Sequence, residues 1–141
     1  MGQYIRHAIV SINEVISKIK TFQGTKQDKV ELSTGHHIGV VSLRMRTFGR
    51  EGCNIHCQGC GLKAQYFAVE SFAGSIHPSV HTNLYGMNGE KEVLFTQDHI
   101  VPKSRGGANS LDNSQVLCQC CNTRKGSRSD KEFKEEMQIV C

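Results

Sequence analysis

Two Cys-x-x-Cys pairs, Cys57-Gln58-Gly59-Cys60 and Cys118-Gln119-Cys120-Cys121, constrain this chain more than any other feature. A two-residue gap lets both thiolates of a pair face one ion, and two such pairs make the closed tetrahedral donor set that Zn²⁺ takes from protein. Bound there, the ion ties the middle of the chain to its last quarter and contributes folding free energy, on the order of 10–16 kcal/mol in isolated zinc peptides. Gly59 and Gly61 relieve backbone crowding at the first pair. Cys53, His56 and Cys120 compete as donors and are set aside because the spacing of Cys57/Cys60 matches that of Cys118/Cys121. Cys141 reads as a frayed terminal thiol. Seven cysteines is an odd number for a disulfide framework. The N-terminal stretch MGQYIRHAIVSINEVISKIK has neither an unbroken apolar core nor a small-residue cleavage site, so a reducing, cytoplasmic setting is expected.

At 141 residues the chain suits one domain with a modest extension. It has no apolar run long enough for a membrane span, and no membrane partner is expected. Apolar residues from Tyr4 to Ile19 recur at three- and four-residue steps, which predicts one amphipathic helix over 3–20, a packing surface that could equally serve a homodimer. Residues 29–41 read as a short hairpin around Ser33-Thr34-Gly35, and 43–48 as a helix stopped by Gly49. Gln65–Val69 suits a strand and His77-Pro78 a loop. Asn88-Gly89 marks a type I′ hairpin whose second strand runs into Asp98-His99-Ile100. Gln115–Leu117 is a short apolar run, Cys121–Lys125 a brief helix capped by Gly126, and Ser129 with Glu132 a capping box for a last helix to about Met137. The expected organisation is an extension over 1–50, a core over 51–128 and a C-terminal helix over 129–141.

Charge is uneven. Residues 36–50 hold Arg44, Arg46 and Arg50 with no acidic side chain, and 98–128 hold Lys103, Arg105, Arg124, Lys125 and Arg128 against two acids, within a net charge of only +4. Clustered bases suit a phosphate backbone, because each neutralised phosphate releases counterions. Alone, this pattern fits a solvated surface as well.

Between and beside the cysteine pairs lie Asp98-His99-Ile100-Val101-Pro102-Lys103-Ser104-Arg105-Gly106-Gly107, then Asn113, then Cys118-Gln119-Cys120-Cys121-Asn122-Thr123-Arg124-Lys125-Gly126. Together these resemble the HNH endonucleases of the ββα-metal class, in the zinc-bearing form common in phages. The resemblance covers about residues 57–126. It implies an α+β fold with a small zinc-stapled ββα-metal core, carrying the N-terminal helix and hairpin as an extension, and a metal-dependent endonuclease acting on DNA. By the same resemblance His99 is the general base, Asp98 and Asn122 hold a divalent cation, and Asn113 orients His99. Lys103, Arg105, Arg124, Lys125 and Arg128 would hold flanking phosphates. The third motif position is Asn122 rather than His, and a neutral amide oxygen suits hard Mg²⁺ or Mn²⁺. The chemistry fits these residue types: an imidazole can take a proton from water near neutral pH, and a hard cation can stabilise charge on a leaving oxygen. The rival reading is a catalytically inactive zinc-ribbon module that binds nucleic acid.

Overall fold

The computed structural model of the chain describes residues 3–74, 76 and 79–136. The loop expected at His77-Pro78, the expected helix end at Met137 and the thiol of Cys141 lie outside the described residues. The elements are β1 (Tyr4–Val10), α1 (Ile12–Thr21), β2 (Val30–Glu31), β3 (His37–Ile38), α2 (Leu43–Glu51), β4 (Ala64–Phe72), β5 (His81–Asn88), β6 (Lys91–His99), β7 (Ser114–Cys118), α3 (Gln119–Lys125) and α4 (Asp130–Glu136). Five strands form one antiparallel sheet in the order β1-β4-β5-β6-β7, and β2 pairs with β3 separately. The architecture is mixed α+β. Among the described residues no helix is long and apolar enough to cross a membrane.

The single N-terminal helix expected over 3–20 is not what forms. Residues 4–10 are a strand on the sheet edge, in register with β4 from Tyr4↔Phe72 to Val10↔Phe67, with one irregularity around His7. Helix starts only after Ser11, whose hydroxyl accepts from the Glu14 backbone N–H at 3.2 Å as an N-cap. Tyr4, Ile5, Ala8 and Ile9 fit either period, and pairing with a strand sixty residues away decides between them. Being on an edge strand, Ile5 and Ile9 stay about half exposed, whereas Val15 and Ile16 of α1 are buried in one core with Met45, Phe48, Phe67 and Val69.

Helix α2 also runs past its expected stop and ends at Gly52, whose φ of 72° is the left-handed conformation glycine tolerates. Gly49 is instead a contact point. A Cβ there would sit 2.5 Å from Cγ2 of Ile19, so its bare backbone lets α1 approach α2. The hairpin after β5 differs in detail too. Asn88 pairs with Lys91, which leaves Gly89-Glu90 as the two-residue loop. Only Gly89 has positive φ (65°), the pattern of a type II′ turn rather than the expected type I′.

The sheet has helices on both faces. Phe67 and Thr82 meet α2, through Phe48 at 6.0 Å between ring centroids and through the sulfur of Met45. Thr96 and Asp98, two apart on β6, face the other way and are gripped by α3. Strands β5 and β6 are paired only between Tyr85↔Leu94 and Asn88↔Lys91. Beyond that point they diverge, and β6 continues its pairing with β7 alone, from Phe95↔Cys118 to His99↔Ser114.

Candidate active site

The four expected cysteines converge. The sulfurs of Cys57, Cys60, Cys118 and Cys121 all lie within 4.8 Å of one another, with Cys60 and Cys118 at 3.9 Å. Tetrahedral zinc with Zn–S of about 2.3 Å requires sulfurs about 3.8 Å apart, so this donor set fits the ion. Strand β7 delivers Cys118 and helix α3 delivers Cys121, while Gln58 is anchored to β7 by donating its N–H to the Val116 carbonyl at 2.9 Å. Gly59 must be glycine for a reason beyond local crowding: a Cβ would lie 2.9 Å from the Cys121 sulfur and 3.2 Å from the Phe133 ring. Cys53 is exposed and, like His56 and Cys120, stands outside the cluster.

Hydrogen bonds make the Cys57 sulfur far more acidic than those of Cys118 and Cys121. The Cys118 thiol and the N–H groups of Cys118, Cys60 and Gly59 bring Cys57 down to about 4. Cys118 is pushed up because it serves that thiolate, and burial together with the Cys57 charge pushes Cys121 up to about 12. Gathering four thiolates at this spacing needs a divalent cation among them.

The end of β6 is the second focus. Asp98 is buried, and its Oδ2 accepts from Lys125 Nζ at 2.6 Å and from Gln115 Nε2 at 3.1 Å; Gln115 also donates to Asp130 Oδ1 at 2.8 Å. Its Oδ1 accepts no hydrogen bond from the described residues. On the same sheet face, Asn122 Nδ2 donates to the Thr96 hydroxyl at 2.9 Å, which leaves the Asn122 amide oxygen to accept elsewhere. His99 is the next residue along the strand and is only half-buried, with Nε2 2.9 Å from Asn109 Oδ1.

Two expected roles are not where the resemblance put them. Asn113 does not reach His99: its Oδ1 accepts from the Val101 N–H (2.9 Å), and its Nδ2 donates to the Val101 (2.9 Å) and Ala108 (2.8 Å) carbonyls. It clamps the loop 101–108 across its base. Gly107 completes the clamp, since a Cβ there would be 1.8 Å from the Val101 oxygen. The side chain that does meet the imidazole is Asn109, which sequence reasoning missed. Its only signal is a position in a glycine-rich loop ten residues past the histidine.

Lys125 is the other correction. It is 1% exposed, and its ammonium is spent on Asp98 and on the carbonyls of His99 (2.5 Å) and Ile100 (3.3 Å), so it cannot hold a phosphate in this conformation. A buried carboxylate next to a turn needs a counter-charge, and one helical turn after Cys121 the chain supplies it. Lys125→Met should therefore destabilise the protein by about 3–5 kcal/mol, the usual result of removing one partner of a buried pair. Chemical denaturation of the zinc-loaded protein measures this, and a loss below 1 kcal/mol would contradict it. Of the remaining bases, Lys103 and Arg124 are exposed, Arg105 pairs with Glu132, and Arg128 donates to backbone carbonyls of α3 over the Phe133 ring. In the earlier block Arg46 is exposed, whereas Arg50 donates to the Leu111 and Ser114 carbonyls and is structural.

The stretch that contains β6, the clamped loop, β7 and α3 matches the sequence model of a known family, the HNH endonucleases, over residues 87–138. The segment is similar to the HNH endonucleases over those residues. No curated protein and no solved structure matches the chain. The matched segment places Asp98 and His99 at a strand end and Asn122 on the helix against it, and it also carries the second cysteine pair, Cys118 and Cys121. The first pair precedes it.

Proposed function

We propose that the chain is a metal-dependent endonuclease that hydrolyses phosphodiester bonds of DNA, with a structural zinc at the cysteine tetrad. The observation that carries this is the arrangement at the end of β6. There the strand end carries an imidazole at His99 and a buried carboxylate at Asp98, and α3 brings the Asn122 amide onto the same strand at Thr96, all within the segment similar to HNH endonucleases.

The residues fit a hard cation. Asp98 Oδ1 and the Asn122 amide oxygen are oxygen donors left over from the hydrogen bonds made by their partner atoms, and Mg²⁺ or Mn²⁺ is bound through one or two such oxygens plus waters and substrate phosphate. When bound, the cation would stabilise charge developing on the scissile phosphate and leaving oxygen. His99 takes the proton of the attacking water. Because an amide oxygen only accepts, Asn109 Oδ1 assigns the ring proton to Nε2 and leaves Nδ1 as the basic nitrogen. Lys125 fixes the strand end by holding the His99 and Ile100 carbonyls, and so fixes the direction in which the imidazole points. Lys103 and Arg124, both exposed, would hold flanking phosphates, which positions a strand without reading its sequence.

A second reading draws on the Lys125–Asp98 contact. An ammonium 2.6 Å from the carboxylate already neutralises it and competes with a cation, as would suit a zinc-bearing binding module without turnover. Supercoiled plasmid separates the two. The endonuclease reading expects nicking or linearisation with Mg²⁺ and none with EDTA. It also expects Asp98→Asn and Asn122→Ala each to lower the rate by more than about 10-fold, the lower range for disturbing even a ligand's supporting partners, while zinc content is unchanged. Intact plasmid under all metals, with tight binding retained, would favour the binding module.

A further inference from the structure

Where β5 and β6 diverge, the sheet opens into a groove of about 440 Å³ that the nuclease reading does not use. Three rings from three strands meet at its mouth. Tyr4 and Phe72 have centroids 4.8 Å apart, and His81 stands 5.6 Å from each. Two of them are conspicuously open for aromatic side chains, Phe72 at 52% and Tyr4 at 37% exposure. Arg44 enters from α2, donates to the Thr82 carbonyl at 2.7 Å within the gap, lies over the Phe48 ring, and is one of the residues lining the groove. The buried Glu70 nearby brings no uncompensated negative charge, because Arg6 pairs with it at 2.9 Å and Asn83 and Tyr85 donate to it. Burial and the Arg44 charge hold the His81 pKa below the ordinary imidazole range, so the ring is neutral and presents a flat face.

The groove is continuous with the candidate active site. Its floor includes Leu94 and Thr96, and the Thr96 hydroxyl is the partner of Asn122. Thr96 and Asp98 share a face of β6, so a strand lying across Asp98 and Asn122 would pass the mouth of the groove. Exposed ring faces beside a cation are what an unpaired base recognises: stacking is indifferent to base identity, and the guanidinium attracts both the π-face and the neighbouring phosphate. A base inside a duplex has both faces covered by its neighbours and must leave the stack to be held in this way.

We propose that the groove walled by Tyr4, Phe72, His81 and Arg44 is a stacking subsite for an unpaired base of the DNA substrate, giving the protein a preference for single-stranded, frayed or branched DNA. The assignment rests on the endonuclease reading only in taking DNA as the ligand.

The test uses full-length, zinc-loaded His99→Ala protein without Mg²⁺, so that binding is read without cleavage. Fluorescence anisotropy compares a thymine single strand with a strand of the same length made of abasic deoxyribose phosphate. Stacking of one base at about 1–3 kcal/mol corresponds to a 5- to 150-fold preference for the thymine strand. Adding Phe72→Ala should bring the ratio close to one, and Phe72→Trp should restore it. Tyr4→Ala, at the other exposed ring, should lower the ratio independently. Equal affinities for the two strands, or a ratio indifferent to Phe72→Ala, would overturn the subsite. So would a shift of the DNA-free protein from dimer to monomer in sedimentation on Phe72→Ala, which would assign the rings to a second copy of the chain. Plasmid cleavage by the unsubstituted protein reports separately on the nuclease reading. Cleavage without base-dependent binding removes only the subsite, and base-dependent binding without cleavage removes only the nuclease.

Discussion

His99→Ala is expected to lower DNA cleavage by about 10²–10⁴-fold, the range typical of losing a positioned general base. Zinc content, thermal unfolding and DNA affinity should stay at their starting values. The separation follows from where the residue sits. Its side chain is half-buried and, among the described residues, bonds to Asn109 alone, whereas the strand end is held by backbone groups: the His99 and Ile100 carbonyls on Lys125, and the Ile100 N–H on the Asn113 carbonyl. Removing the imidazole therefore leaves the scaffold and the exposed bases in place. The neighbouring asparagines sharpen the test. Asn109→Ala should give a smaller loss of rate with stability unchanged, because only the ring orientation is released. Asn113→Ala should lower stability along with rate, because it releases the loop 101–108. Plasmid cleavage under single-turnover conditions, alongside thermal melts, gives both quantities. Wild-type cleavage by the His99→Ala protein would remove the general-base assignment and leave the binding module as the better account.

The larger stability effect belongs to the cysteine tetrad. Zinc bound by four thiolates contributes about 10–16 kcal/mol in small zinc peptides, which equals or exceeds the 5–15 kcal/mol that holds a whole domain folded. Cys118→Ser should therefore leave the purified protein with less than one zinc per chain and without a cooperative thermal transition. Cys118 has more duties than its neighbours. It ends β7 opposite Phe95, its sulfur accepts from the Cys121 N–H at 3.5 Å to start α3, and its own N–H donates to Cys57 at 3.2 Å. Cys53→Ser is the matched control, since Cys53 is exposed and outside the cluster, and it should change neither zinc nor melting temperature. Metal analysis with calorimetry decides the point: protein that melts cooperatively with no zinc bound would show that the four sulfurs are packing residues only.

Sequence alone was enough for the features that depend on spacing. The cysteine pairs had to converge because a two-residue gap suits one ion. The capping box at Ser129 formed as written, with Glu132 and Ser129 each accepting from the other's N–H at 3.2 Å. The strand from Lys91 into Asp98-His99 followed by a short cysteine-bearing helix was legible as a motif, and the family match falls on it. What sequence could not determine depends on partners far along the chain. Residues 4–10 have an apolar pattern that serves a helix or a strand, and only the backbone of residues 67–72 settles which hydrogen bonds are available to them. Gly49 looks like a helix stop until Ile19 is seen to press on it. The residues of the candidate site divide in the same way. Asp98, His99 and Asn122 can be picked out by residue type and order. Which asparagine touches the imidazole, and whether a lysine faces solvent or a buried carboxylate, is set by how the loop 101–108 folds back and how α3 rotates against β6. Those are matters of packing and hydrogen-bond satisfaction among side chains distant in sequence, and no local pattern encodes them.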